Sequence, residues 1–351
     1  MFRNFPIGRK LVVMLIVPIM SLLFFSGTVV VERLRTQRET TALQQLSKLA
    51  VAISPFVHEA QKERGATGIF LGSQGKKFRV ELTAQRANTD KTVAQLNGIL
   101  AQFDATQFGT AFQKNFDIAR HDFYDKLGSH RPAVDALTIP GREGIGYYTR
   151  MNAAFLDVIA HIATLSSNPV LASQVLAYVN FLQGKERTGI ERATMANAFG
   201  RGQYEGHDEF QKFVTAAISQ DAFLKVFLIL ATDEQRAFYH AKVQGTVVDE
   251  AARMRKIAFE SANKPDLGGV DAAHWFETMT GKINLMKEVE DKLSADLTAK
   301  ADQLQSEARV ELILFVAIAV GATAIACLLA YIIAHGITQP MTVAVRLSWA
   351  G

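Results

Sequence analysis

Two stretches of the chain, residues 11–31 and 312–334, contain no charged side chain and are almost wholly apolar. About twenty apolar residues in helix cross the hydrocarbon core of a bilayer, so each stretch is long enough to span a membrane. Residues 32–311 follow a different pattern. Leu43, Leu46, Ala50, Ile53, Val57 and Ala60 recur every three or four positions, the spacing that lines one face of an α-helix. A turn is predicted at Gly72-Ser73-Gln74-Gly75 and a second helix over residues 77–103. Breaks follow at Gly128, ahead of Ser129-His130-Arg131-Pro132, and at Pro140-Gly141, because glycine and proline end helices readily.

Asn168-Pro169 has the form of an N-cap with proline at the first helical position. It opens a long helix to about Phe199, closed by Gly200-Arg201-Gly202. Thr232 with Gln235 fits a capping box for a helix reaching about Glu260. Asn263-Lys264-Pro265 then breaks the chain, and Asp271 caps a last helix. That helix carries Phe276, Met279, Ile283, Met286, Leu293, Leu297, Leu304 and Ala308, and enters the second apolar stretch without glycine or proline. No alternating strand bounded by turn signals is present between the stretches. The predicted fold is all-α: two stacked antiparallel four-helix bundles flanked by two transmembrane helices, with the internal boundary near Pro140 or Asn168.

Charge narrows the choice of partner. The 38 basic and 34 acidic residues give a net charge of +4 but are interspersed along the chain, which argues against nucleic acid. The one cysteine, Cys327, lies inside the second apolar stretch, so the exposed region makes no disulfide and no thiolate metal site. Arg3, Arg9 and Lys10 resemble the basic start of a secretory signal. The apolar stretch after them exceeds the roughly 7–15 residues of a signal core and lacks an A-x-A site, so an uncleaved anchor is expected. Arg33, Arg35 and Arg38 on its far side balance those charges, and the positive-inside rule leaves orientation open. The eight histidines show no helical metal spacing. No P-loop and no G-x-S-x-G elbow is present. No enzyme, cofactor or metal is expected.

Two segments echo each other, Gln61-Lys62-Glu63-Arg64-Gly65 and Lys185-Glu186-Arg187-Thr188-Gly189. Arg64 falls on the buried stripe of Val57, Ala60, Gly68 and Leu71, and Gly65, Ala66 and Gly68 beside it let another helix approach. Arg187 sits at the flank of a face formed by Leu182, Ile190 and Ala193. Buried guanidinium groups need partners. A small anion would serve, and so would Glu63, Glu186 or Glu191.

The first of these segments, Arg86-x-x-Thr89-Asp90, and above all the run from Gly184 to Ala193 with Asn197, Phe199, Tyr204 and Phe210, resemble the nitrate- and nitrite-sensing NIT domain. The resemblance covers roughly residues 50–300. It implies two four-helix bundles and a pair of arginines, from different helices, that holds a planar anion. By motif position these are Arg64 and Arg187. Arg192 lies about 140° round the helix from Arg187, at roughly 100° per residue, and is the reserve candidate. Thr67 and Thr188 are candidate hydroxyl donors. Arginine suits the task because its planar fork offers paired donors and keeps its charge at physiological pH.

Ala334-His335-Gly336-Ile337-Thr338-Gln339-Pro340-Met341 resembles the opening of a HAMP linker. That implies a cytoplasmic end, and so residues 1–10 cytoplasmic, 11–31 and 312–334 spanning the inner membrane, 32–311 a periplasmic sensor domain, and 335–351 the start of a cytoplasmic linker. The expected protein is a transmembrane chemoreceptor of the methyl-accepting type. It would bind nitrate or nitrite, act as a homodimer, and reach cytoplasmic signalling proteins through a further C-terminal region. The alternatives are a sensor of another small anion such as a carboxylate, feeding a histidine kinase or cyclase, and a ligand-free helical interaction module.

Overall fold

The computed structural model describes residues 7–166, 168–262, 264 and 266–348. Among them every regular element is helical. The chain divides into two units: residues 1–42 with 302–351, and residues 43–301. The first unit holds the outer parts of two long helices, α1 (Ile7–Gly72) and α10 (Ala272–Ser348). Inside it Arg33 forms an ion pair with Glu311 at 2.7 Å and stacks over Phe315. The segment resembling a HAMP opening, Ala334 to Met341, lies within α10, and residues 349–351 lie outside the described ones.

The second unit holds the predicted bundles. One consists of the inner part of α1, α2 (Arg79–Leu100), α3 (Thr110–Asp117), α4 (Leu127–Asp135) and α5 (Gly141–Leu165). Phe56 of α1 meets Tyr124 and Phe155 edge-to-face at 5.1 and 5.3 Å, the arrangement aromatic quadrupoles favour. The other bundle consists of α6 (Pro169–Arg201), α7 (His207–Leu230), α8 (Asp233–Lys242), α9 (Thr246–Glu260) and the inner part of α10. Its core gathers Met195 and Phe199 of α6, Phe213 of α7, Met254 of α9, and Trp275 and Met279 of α10.

The predicted caps are formed. The Asn168 side chain accepts from the Leu171 amide at 3.0 Å, Thr232 and Gln235 close a reciprocal capping box, and Asp271 accepts from the His274 amide at 2.7 Å. The predicted α2 is shorter than expected, by a few residues at each end.

Two predicted boundaries are corrected. No break occurs at Gly128, because α4 runs through Gly128 and Pro132. The carbonyl that Pro132 leaves without a donor belongs to Gly128, an exposed residue, where solvent can take the donor's place. The break lies earlier, where α3 passes through a π-turn (Ile118–Phe123) and a 3-10 turn (Tyr124–Lys126). These bring the Tyr124 hydroxyl to the Val93 carbonyl at 3.1 Å. The single helix predicted from Thr232 to Glu260 is two helices, α8 and α9, because Gly245 takes φ 95°, a conformation that suits glycine. Asn263 and Pro265 lie outside the described residues.

Three helices are long and apolar enough to cross a membrane by length and composition: Val13–Gly72, Ala272–Gly336 and His207–Leu230. The third is α7. In it 33% of the most apolar window is buried inside the fold, against 0% for the other two, and Phe213, Ala217, Leu224 and Phe227 face the bundle core. Trp275 is core packing, and its indole donates to the Arg192 carbonyl at 3.0 Å. Trp275→Ala is expected to lower stability by about 3–5 kcal/mol, read as a fall in thermal midpoint of the full chain, with Trp275→Phe falling less.

Candidate anion-binding site

The helix α6 meets α1 along a stripe of residues spaced three or four apart. His58 of α1 faces Lys185, with 3.1 Å between Nδ1 and Nζ. Gln61 donates to Glu186 at 2.6 Å. Further along, a side chain at Gly189 would lie 3.2 Å from the Arg64 guanidinium, and one at Gly65 would lie 3.5 Å from that of Arg192. Each arginine therefore reaches over a glycine of the opposite helix, and the two guanidinium groups share one crevice. Arg64 is 3% exposed and Arg192 7%.

The two arginines are held differently. Arg64 forms a buried ion pair with Glu186, itself 3% exposed, and donates to the Thr149 hydroxyl at 3.2 Å. Arg192 donates to the Thr280 hydroxyl at 2.8 Å and stacks over the Phe276 ring at 4.5 Å. Its Nε is buried with no acceptor, and among the described residues no carboxylate pairs with it. Burial, followed by the charge of Arg64, pushes Arg192 down to about 10, so it remains a cation at neutral pH.

A pattern of contacts recurs between the two bundles. Glu63, next to Arg64, is gripped by Arg131 of α4 through Nε and Nη2 at 2.8 Å each, while Arg131 Nη1 donates to Asp90 at 2.6 Å. Glu191, next to Arg192, is gripped by Arg255 of α9 through the same two nitrogens, and Arg255 Nη1 donates to Asp221 at 3.3 Å. Asp90 and Asp221 lie on α2 and α7, the second helices of the two bundles. Thr149 and Thr280 lie on the last helices, α5 and α10. The structural counterpart of Glu63-Arg64 is thus Glu191-Arg192, not Glu186-Arg187.

This corrects the expected pairing of Arg64 with Arg187. The face of α6 that meets α1 runs through residues 185, 186, 189 and 192, and Arg187 lies off it. Its guanidinium is half-buried, 6.0 Å from the Phe223 ring of α7. The residue brought to Arg64 is the reserve candidate, Arg192. Neither candidate threonine turns towards the guanidiniums. Thr188 donates back to the Gly184 carbonyl at 3.0 Å and faces Met286, and Thr67 is buried beside Tyr148, which itself bonds Glu63 at 2.8 Å. Thr149 and Thr280 supply the hydroxyls instead. Aligning the halves on Glu63-Arg64 and Glu191-Arg192, rather than on the longer Lys-Glu-Arg match, is the signal that leads to Arg192, while Thr149 and Thr280 belong to no motif around either arginine.

One turn away lies a second buried polar group. Glu290 of α10 pairs with Lys185 and accepts from Ser54 of α1 at 2.6 Å. Burial opposes its ionisation, but Lys185 and Lys287 outweigh that and hold the carboxyl below its ordinary range. His58 is pushed well below its ordinary value by burial and then by Lys185.

Residues 55–298 match the family described as nitrate and nitrite sensing, NIT. The chain belongs to this family. Over 264 residues, 75% of its length, it is 30% identical to the nitrate regulatory protein of Klebsiella oxytoca, and it spans 65% of that relative's length. The structure of the NasR transcription antiterminator is similar with a TM-score of 0.70 at 28% identity, over 84% of this chain and 81% of that one. The NIT match takes in both arginines, both threonines and both clamps.

Two outcomes are expected from this arrangement. Arg255→Ala strands the Glu191 carboxylate in the second bundle, and a loss of about 3–5 kcal/mol in denaturant unfolding is expected. The double variant with Glu191→Leu recovers part of it. His58 binds no proton in the fold at pH values where the unfolded chain does. The contribution of His58 to stability is therefore complete above about pH 6.5 and is lost as pH falls, with a slope approaching about 1.4 kcal/mol per pH unit. His58→Gln is expected to flatten that slope in unfolding curves taken between pH 7.5 and 5.5.

Proposed function

We propose that this NIT domain binds nitrate or nitrite in the crevice between α1 and α6, through Arg64 and Arg192 with Thr149 and Thr280. The observation that carries this reading is the Arg192 guanidinium, buried near Arg64 with hydroxyl and ring partners and, among the described residues, no carboxylate in ion-pair contact. A flat monoanion fits between two planar forks better than a water molecule does, because each guanidinium offers paired donors and a full charge. The carboxylate of Glu186 already lies against Arg64, which supports a trigonal planar guest of similar size.

The domain is read as the sensor of a transmembrane chemoreceptor. Residues 11–31 and 312–334 cross the inner membrane, residues 32–311 face the periplasm, and residues 335–351 begin a HAMP-like linker towards cytoplasmic signalling proteins. What favours this over a regulator of transcription, the role that one relative's name gives, is the pair of terminal helices with strongly apolar windows and no share of them buried. Helices α1 and α10 run unbroken from the bundles into those windows. Drawing α1 towards α6 would shift α1 against α10, and a ligand biases that shift only by its differential affinity for the two arrangements. A symmetric dimer is the expected working form.

Calorimetric titration of the full chain with nitrate tests the binding reading. Arg64→Ala and Arg192→Ala are each expected to weaken binding by about thirtyfold or more, Arg187→Ala to leave it within about threefold, and acetate to compete only weakly. Undiminished nitrate heat in the Arg64→Ala Arg192→Ala double variant rules this crevice out.

A further inference from the structure

We propose that Glu186 sets the charge of the crevice and thereby its selectivity for singly charged anions over doubly charged ones. The inference rests on the nitrate-binding reading of the same crevice.

Among the described residues, the charged groups in direct contact at the crevice are Arg64, Arg192 and Glu186, with Lys212 of α7 further out but near enough to feel the charge of Arg64. The remaining polar partners, Gln61, Thr149 and Thr280, are neutral. Nearby carboxylates are committed elsewhere: Glu63 to Arg131, Glu191 to Arg255 and Glu290 to Lys185. Among the groups in direct contact, two cations and one anion leave a single positive charge, nearly sealed from water. One monoanion brings the site to neutrality. A dianion would leave an uncompensated negative charge beside the Glu186 carboxylate, and buried charge without a partner is strongly unfavourable.

Position, not mere proximity, supports the assignment. Glu186 is 3% exposed and tied down by Gln61 at 2.6 Å as well as by both terminal nitrogens of Arg64. It precedes Arg192 by six residues, and the residue at that spacing before Arg64 is His58. The two corresponding positions thus carry different side chains. One of them places a carboxylate in the crevice, while the other faces Lys185.

The test uses the full chain, titrated separately with sodium nitrate and sodium sulfate at constant ionic strength. Wild type is expected to bind sulfate at least about a hundredfold more weakly than nitrate, since like-charge juxtaposition at a buried site is heavily penalised. Glu186→Gln, nearly equal in shape, is expected to bind sulfate at least about tenfold more tightly than wild type does, by the same reasoning. Glu186→Asp, which keeps the charge, should keep the discrimination. Nitrate binding with an unchanged sulfate affinity in Glu186→Gln overturns the proposal and leaves the nitrate reading intact. Comparable sulfate and nitrate affinities in wild type overturn it as well, and that measurement needs no variant to fold. Absence of binding by either anion to folded wild type and folded Glu186→Gln removes the nitrate reading and this inference together.

Discussion

Two guanidinium groups confined to one crevice between parallel-running stretches of α1 and α6 constrain much of what surrounds them. Removing either cation from water is costly, and bringing the two together adds repulsion that only a nearby negative charge relieves. The chain answers with Glu186 on Arg64, hydroxyls from α5 and α10, and the Phe276 ring under Arg192. Glycine at positions 65 and 189 leaves the space those forks occupy. The neighbouring glutamates are held out of the way by bidentate arginines on α4 and α9.

Much of the fold was legible in the sequence because helix signals are local. The Asn168-Pro169 start, the Thr232 capping box and the Asp271 cap depend on residues within one turn, and all three are formed. What escaped was decided elsewhere. Pro132 is tolerated inside a helix because the residue whose carbonyl it abandons, Gly128, is exposed, a matter of exposure rather than composition. Gly245 divides α8 from α9 through its backbone angle, which a single glycine in a helical pattern does not announce.

The crevice was half legible. Arg64 stood out as a cation on an apolar stripe. The longer motif match, Lys-Glu-Arg to Lys-Glu-Arg, pairs it with Arg187, although the face of α6 that packs on α1 is out of phase with that residue. Thr149 and Thr280 carry no motif and come from helices distant in sequence, so only the recurrence of the clamps between bundles singles them out. Hydropathy has a similar blind spot at α7, whose apolar composition equals that of a membrane span while a third of its window serves the bundle core.

The recurring clamps have a consequence for how such a crevice can be made. Each half of residues 43–301 carries a full wall: an arginine for the crevice, a glutamate behind it, a gripping arginine with its aspartate, and a threonine at the back. Two copies of one short polypeptide would therefore build a crevice whose sides are alike, and every substitution would appear in both. Joining the halves in one chain lifts that restriction. Glutamate on one side and histidine on the other, at matching places, is a division of labour available only to a fused pair.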